Sequence, residues 1–178
     1  MVRMAFLYVA FGLTLSSTFE IPELDPASGD AQPDFHVAFG TGEAPVGSAY
    51  CPLGQVPAST VVLSGPARVF RITRGSLIEV WESDPATRDL TRAALMGFAF
   101  SVVVYQRGLW PLHVGAIRSG NSTWLFGGRS GAGKSTIVSW LHTHLDLPIV
   151  TDDAAVVRLE GTGVQVSVAS RAVRLFPE

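Results

Sequence analysis

The residues best suited to chemistry in this sequence form the segment Gly128-Arg129-Ser130-Gly131-Ala132-Gly133-Lys134-Ser135, which fits the pattern G-x-x-x-x-G-K-[ST] at every fixed position. Glycine allows backbone angles that other residues avoid, so the N–H groups of such a loop can turn inward around phosphate oxygens. Lys134 is suited to supply a point charge for the outer phosphates, and the Ser135 hydroxyl is suited to ligate Mg²⁺. The segment therefore predicts a phosphate-binding loop.

Two adjacent carboxylates, Asp152 and Asp153, follow a short strand predicted at Pro148–Thr151. One carboxylate can hold Mg²⁺, directly or through water, while the other accepts the proton of an attacking hydroxyl. The sequence does not assign these two roles between the two residues. A pair of solvated turn residues is the alternative interpretation, since Asp is common in turns.

A histidine, His113, stands at the start of a predicted hairpin that leads into the glycine-rich segment. This position makes it a third candidate for the site, because histidine can exchange protons near neutral pH. A surface histidine at the end of a strand is equally compatible with the pattern.

A strand and a helix must flank the glycine-rich segment if it is to bind phosphate. Thr123–Phe126 before it is a short, bulky apolar run typical of a strand. After it, four apolar residues fall on one face of a predicted helix that ends near His144: Ile137, Val138, Leu141 and Leu145. This order puts the phosphates at a helix N-terminus, where the helix dipole favours negative charge.

Hairpins are predicted on both sides of this strand–loop–helix unit. Leu112–Ile117 is expected to pair with Thr123–Phe126 before the glycine-rich segment. Ala155–Leu159 is expected to pair with Val164–Val168 after the two aspartates.

The first part of the chain, residues 1–82, is predicted to form a small, mostly antiparallel β layer. The runs that favour strands are Phe6–Leu15, Asp34–Phe39, Ser59–Leu63, Ala67–Ile72 and Leu77–Trp81. A long buried helix is predicted next, with Asp84 as its N-cap, Pro85 at its first position and Gly108 just past its end. The change in composition near residue 83 predicts two domains, 1–82 and 83–178.

Composition narrows the classes of protein to which this chain can belong. With 47% hydrophobic and 16% charged residues it can bury a core, and its net charge of −2 argues against a nucleic-acid partner. A single cysteine, Cys51, suits a reducing compartment, so we expect a cytoplasmic protein.

The apolar stretch Ala93–Tyr105 is shorter than the roughly 20 residues that span a bilayer, so we expect no membrane partner. Met4–Leu15 looks like a signal peptide, but no A-x-A-like cleavage site follows it.

The run from Arg107 to Glu178 resembles the catalytic domain of HPr kinase/phosphorylase and of the related HPr-kinase-like serine kinases. The matching pieces are Arg107-Gly108 with Leu112-His113, the segment Gly128 to Ser135, Asp152-Asp153, and Arg174-Leu175-Phe176-Pro177. The resemblance implies an α+β or α/β fold, namely a P-loop nucleotide-binding domain like that of phosphoenolpyruvate carboxykinase.

The resemblance also implies an activity, which is phosphoryl transfer from ATP, with Mg²⁺, to a serine hydroxyl of an HPr-like protein or a ribosomal precursor peptide. Carried over to this sequence, the catalytic residues are His113, Lys134, Asp152 and Asp153, and the metal is served by Ser135 and Asp153. The triphosphate is expected to contact Gly128, Arg129, Ser130, Gly131, Ala132, Gly133, Lys134, Ser135 and Thr136. We also consider a homo-oligomer compatible with the sequence.

The sequence departs from this family in three ways. Val114 follows His113 where the bifunctional enzymes have glycine, and Thr136 follows the loop serine where they tend to carry an acid. Both differences favour the broader group of serine-kinase-like proteins over regulation of a sugar phosphotransferase carrier. The family chain also continues well past the position of Glu178, so we expect an incomplete catalytic domain. An inactive nucleotide-binding module with an interaction role is therefore the alternative function.

Overall fold

The computed structural model describes residues 6–47, 56, 59–65, 68–161 and 163–169. These residues form a seven-stranded sheet, a five-stranded sheet and two helical stretches. Cys51 and the run Arg174 to Pro177, both of which entered the sequence predictions, lie outside the described residues.

The first sheet contains the predicted N-terminal β layer. Its strands are β1 (Phe6–Ala10), β2 (Leu13–Ser17), β3 (Asp25–Pro26), β4 (Phe35–Phe39), β5 (Thr60–Gly65), β6 (Arg68–Thr73) and β7 (Leu77–Glu82). They lie in the order β3-β1-β2-β4-β7-β6-β5, with parallel pairing only where β4 meets β2 and β7. Alternate side chains face the core, so that Leu13 and Leu15, and Ile78 and Val80, are buried.

The predicted single strand Phe6–Leu15 is wrong, because the chain turns at Phe11 and Gly12 and returns as β2, antiparallel to β1. An apolar residue at the turn concealed it in the sequence. Phe11 is only 1% exposed, and its N–H donates to the Val168 carbonyl at 2.9 Å. The other strand predictions that fall on described residues of this layer are confirmed by β4 to β7.

A continuous helical stretch follows the first sheet. It consists of a 3₁₀ turn (Pro85–Thr87), α1 (Arg88–Ala94), a π-helical turn (Leu95–Ala99) and α2 (Phe100–Gln106). As predicted, Asp84 caps its start by accepting a hydrogen bond from the Ala86 N–H at 2.9 Å, and the helix ends before Gly108. Among the described residues, none of the helices combines the length and apolarity needed to cross a membrane.

One hydrophobic core joins the first sheet to this helical stretch. Its largest buried side chains include Phe35 of β4 and Phe100 of α2, whose rings meet edge to face with centroids 5.5 Å apart. Residues from both sides of position 83 contribute to this core. The division into domains 1–82 and 83–178 stays a prediction.

The second sheet carries the glycine-rich segment. Its strands are β8 (Trp110–Ser119), β9 (Ser122–Gly127), β10 (Ile149–Thr151), β11 (Ala154–Glu160) and β12 (Gly163–Val168), and α3 (Lys134–Leu145) connects β9 to β10. β8 pairs with β9 along one edge and with β10 and β11 along the other, and β12 pairs with β11. Both predicted hairpins, β8–β9 and β11–β12, are thus confirmed.

The predicted fold class, an α+β or α/β P-loop domain like that of phosphoenolpyruvate carboxykinase, is wrong. The described residues are 44% strand and 23% helix, so the structure is mostly β, with one mixed and one antiparallel sheet. Parallel neighbours in an α/β sheet each need a crossover connection, usually a helix. Within the described residues, α3 is the only helix that joins two strands of the second sheet. The motif determined the local strand, loop and helix, but not the partners of the strands.

Helix α3 packs against β8, β9 and β10, with Val138 as its only buried apolar side chain among the described residues and Leu141 partly buried. Val138 is buried, whereas Ile137 and Leu145 on the predicted apolar face are 43% and 55% exposed. The close approach is to Gly115 of β8, where an added Cβ would lie 2.6 Å from Val138 Cγ2. Gly115 therefore sets the distance between α3 and the sheet.

We expect Gly115→Ala to lower the free energy of unfolding by about 1–3 kcal/mol, because the new methyl forces α3 or Val138 to shift. Urea denaturation of the single variants and of Gly115→Ala/Val138→Ala measures the effect. The double variant is expected to be less destabilised than the sum of its single changes, because the shorter side chain makes room. Additive effects would show that the two residues do not limit each other.

Arg107, which contributes to the family resemblance, ties the end of α2 to the first sheet. Its guanidinium donates to Asp34 Oδ1 and to the Asp34 carbonyl, both at 3.0 Å, and to the Gly75 carbonyl at 3.2 Å. Next to it, Gln106 Oε1 accepts a hydrogen bond from the Gly75 N–H at 2.6 Å. Arg107 thus holds the helix end against the β6–β7 turn.

We expect Arg107→Met to lower the free energy of unfolding by about 1–2 kcal/mol, since it removes three hydrogen bonds, one of them within an ion pair with Asp34. Arg118→Met is the matched control, because that arginine is exposed on β8 and a surface change away from such contacts costs about 0.5 kcal/mol or less. Equal urea midpoints for the two variants would contradict the role given to Arg107.

Candidate functional site

The glycine-rich segment lies between β9 and α3, as the motif requires. β9 ends at Gly127, and α3 begins at Lys134 with Gly133 as its N-cap. Gly131 and Gly133 adopt φ angles of 79° and 83°, which lie in the left-handed region that other residues rarely occupy. These two glycines allow the chain to turn sharply into the helix.

The start of α3 carries backbone N–H groups that the helix itself does not use. Its first intrahelical hydrogen bond runs from the Ile137 N–H to the Gly133 carbonyl at 2.9 Å. The N–H groups of Lys134, Ser135 and Thr136 come earlier in the chain than this bond. No preceding helical turn supplies carbonyl groups that could accept hydrogen bonds from them. Together with the helix dipole, they form a suitable contact for an anion.

The ammonium group of Lys134 is held by the loop itself. Its Nζ donates to the Gly128 carbonyl at 2.9 Å and to the Arg129 carbonyl at 3.1 Å. Lys134 is only 8% exposed, whereas the other loop residues, 128 to 133, are exposed. Because a lysine ammonium has three N–H donors, one remains for a phosphate oxygen.

His113, on β8, faces Asp153, which lies in the turn between β10 and β11. His113 Nδ1 lies 3.2 Å from Asp153 Oδ1, and the Val114 N–H donates to the Asp153 carbonyl at 3.1 Å. The pairing of β8 with β11 produces this contact, since His113 is in register with Ala154. A carboxylate beside Nδ1 favours the tautomer in which Nδ1 carries the proton, and Nε2 then keeps its lone pair.

Thr151, at the end of β10, holds the turn that carries the two acids. Its buried hydroxyl donates to the Ala154 carbonyl at 3.3 Å and accepts from the Asp153 N–H at 3.4 Å. This threonine was not among the predicted site residues. A threonine directly before an Asp pair is a usable signal, because its hydroxyl commonly bonds to nearby backbone groups.

Gly97, in the π-helical turn, was also missed from sequence. An added Cβ at Gly97 would lie 3.8 Å from Asp153 Oδ2, so the helical stretch passes directly over that carboxylate. An isolated glycine inside a helical pattern costs about 1 kcal/mol relative to alanine, so its presence in an apolar helix is one signal. The interruption of α-helical geometry at Leu95–Ala99 is a second signal, but only the structure reveals it.

A single cavity of about 380 Å³ brings most of the predicted site residues together. It is lined by His113, Ser130, Gly131, Gly133, Lys134, Ser135, Thr136, Asp152 and Asp153. Of the predicted residues, Gly128, Arg129 and Ala132 do not line it, and the first two instead supply the carbonyls that hold Lys134. The cavity is large enough for the phosphates of a nucleotide, and pockets for whole small ligands measure about 300–1,000 Å³.

The side chains that line this cavity include ligands of the type that Mg²⁺ binds in proteins. No cluster of three or more His, Cys, Asp or Glu side chains suited to a metal occurs within the described part of the chain. Magnesium does not require one, because it keeps several waters and binds through one or two carboxylates together with substrate phosphates. The Ser135 hydroxyl and the carboxylates of Asp152 and Asp153 line the cavity and are suitable oxygen ligands for Mg²⁺.

Comparisons of the chain with protein-family models, with curated proteins and with solved structures gave no match. The chemistry of the cavity is therefore the basis on which a function can be proposed.

Proposed function

We propose that this chain binds ATP with Mg²⁺ and transfers the γ-phosphoryl group to a serine hydroxyl of a protein or peptide. The observation that carries the proposal is the cavity itself. A phosphate-loop lysine, a loop serine, two aspartates and a histidine, contributed by separate parts of the chain, line one space of about 380 Å³. Phosphoryl transfer depends mainly on positioning and on charge neutralisation, which these residue types supply.

The phosphate side of the cavity is assigned to the glycine-rich loop and α3. The N–H groups at the start of α3 bind phosphate oxygens, and the remaining N–H of the Lys134 ammonium contacts the outer phosphates. Lys134 is already oriented by the Gly128 and Arg129 carbonyls, so little side-chain freedom is lost when ATP binds.

The contact between His113 and Asp153 supports different roles for the two aspartates. Asp153 orients His113, and His113 Nε2 accepts the proton of the serine hydroxyl. Asp152 and the Ser135 hydroxyl would then hold the metal, which differs from the assignment of Asp153 to that role from the sequence. Bound Mg²⁺ would neutralise charge on the β- and γ-phosphate oxygens.

The proposed reaction is a displacement at the γ-phosphorus of ATP. The serine oxygen forms a bond to the γ-phosphorus while the bond from that phosphorus to the β–γ bridging oxygen breaks. The hydroxyl proton passes to His113 Nε2, and ADP leaves. No other reactant is needed.

Solvent exposure favours a second candidate function, a nucleotide-binding module without transfer. The His113 and Asp153 side chains are 60% and 49% exposed, so water can reach the acceptor side of the cavity. Transfer enzymes usually exclude water from the reacting groups. A module of this kind would bind ATP and act through interaction with another protein.

The test is incubation of the chain with γ-³²P-labelled ATP, Mg²⁺ and serine-containing peptides and carrier proteins, followed by phosphoamino-acid analysis. Label on serine is the expected result, and Lys134→Ala should remove it. Calorimetric binding of ATP without label on any acceptor would favour the binding module. Absence of ATP binding would contradict both functions.

A further inference from the structure

A second pocket, of about 270 Å³, lies between the β5–β6 hairpin and the helical stretch. The residues that matter for its chemistry are Leu63, Ser64, Arg68, Phe70, Ala94 and Phe98. Leu63 and Phe70 are buried, and Ala94 and Phe98 pack against the same core. The pocket is thus an apolar recess with one cation, and it shares no lining residue with the phosphate cavity.

The strand register explains how a cation enters this recess. β5 and β6 pair with Leu63 opposite Phe70 and with Gly65 opposite Arg68. Because side chains alternate along a strand, Arg68 lies on the same face of the sheet as Phe70. Gly65, opposite Arg68, has no side chain that could cover the guanidinium group. The apolar face that meets the helix therefore ends at a guanidinium group.

Arg68 forms no salt bridge with any described residue, although it is partly buried. Its cross-strand neighbour Glu82 is bound by Arg88 instead, with Arg88 Nη2 2.8 Å from Glu82 Oε2. The partly buried Arg71 and Arg92 each have a carboxylate partner. A guanidinium group presents paired donors that match a carboxylate, so Arg68 is complementary to an anion that comes from outside the described chain.

We propose that this pocket binds a small amphipathic carboxylate, with its carboxylate on Arg68 and its apolar tail against Leu63, Phe70 and Phe98. A water molecule occupies about 30 Å³ in the liquid, and a methylene group is of similar size. The pocket of about 270 Å³ therefore has room for a tail of roughly eight carbons. The site is independent of the function proposed for the phosphate cavity, and it can be tested whether or not the chain transfers phosphate.

Octanoate is the probe, and calorimetry with the full chain is the measurement. We expect saturable 1:1 binding of octanoate, and binding of 1-octanol at least about tenfold weaker, because the alcohol lacks the charge that Arg68 recognises. Arg68→Gln should weaken octanoate about tenfold and leave 1-octanol within twofold. Ala94→Leu fills the recess from the helix and should weaken both compounds. Arg118→Gln, an exposed arginine on the second sheet, is the matched control and should change neither.

Several results would overturn this proposal. They are the absence of saturable octanoate binding, equal binding of octanoate and 1-octanol, and octanoate binding that Arg68→Gln leaves unchanged. Thermal unfolding followed by circular dichroism verifies that each variant is folded.

Discussion

Lys134→Ala is expected to reduce phosphoryl transfer from ATP by at least about 100-fold while the chain keeps its fold. The ammonium group is buried at the base of the loop, bonded to the Gly128 and Arg129 carbonyls, with one donor left for a phosphate oxygen. Removing one such donor from a preorganised site typically costs about 10²–10³ in rate. The two carbonyls left without the lysine belong to exposed residues, so water can replace it and stability should change little.

The measurement is the rate of ³²P transfer together with ATP affinity by calorimetry. Arg118→Gln serves as the control, because it removes one positive charge from an exposed position on β8 outside the cavity. Transfer by Lys134→Ala within threefold of the original chain would contradict the role given to the lysine. Loss of transfer in the control would show that net charge, rather than the loop, governs the rate.

The second large effect is expected from the two aspartates, which should respond differently to the same change. Asp153→Asn removes the carboxylate beside His113 Nδ1, so the ring loses the partner that fixes its tautomer. Loss of general-base assistance typically costs about 10²–10⁴ in rate. We therefore expect kcat to fall by about that factor while the Mg²⁺ concentration for half-maximal rate stays within about twofold.

Asp152→Asn is the matched variant, one residue away in the same cavity. Because we assign Asp152 to the metal, we expect it to raise the half-saturating Mg²⁺ concentration about tenfold or more. Rates measured over a range of Mg²⁺ concentrations distinguish the two variants. If Asp153→Asn raises the Mg²⁺ requirement and Asp152→Asn does not, the two assignments must be exchanged.

The sequence predicted the local environment of the cavity well, because each feature depends on a few neighbouring residues. The pattern from Gly128 to Ser135 predicted a strand before the loop and a helix after it. The structure has these two elements as β9 and α3. The placement of Asp152-Asp153 after a short strand is likewise a local property, and β10 ends directly before this pair.

The fold class could not be predicted in the same way, since strand pairing depends on residues far apart in the chain. The β8–β9 hairpin was predicted, but nothing in the composition of β8 indicates that β10 and β11 also pair antiparallel with it. The contact of His113 with Asp153 depends on that pairing, so the observation on which we propose separate roles for the two aspartates was also hidden. Gly97 was missed for the same reason, because its neighbour Asp153 lies 56 positions later in the sequence.

The central claim, that the glycine-rich loop binds nucleotide phosphates, has one direct test. Lys134 is the only lysine in the sequence, so a chain labelled with ¹³C,¹⁵N-lysine gives signals from this residue alone. On titration with Mg²⁺ and a non-hydrolysable ATP analogue, we predict saturable shifts of the Lys134 backbone amide and of its ε-methylene group. Signals that stay unchanged at millimolar analogue would contradict phosphate binding by the loop, and with it the function proposed for the cavity.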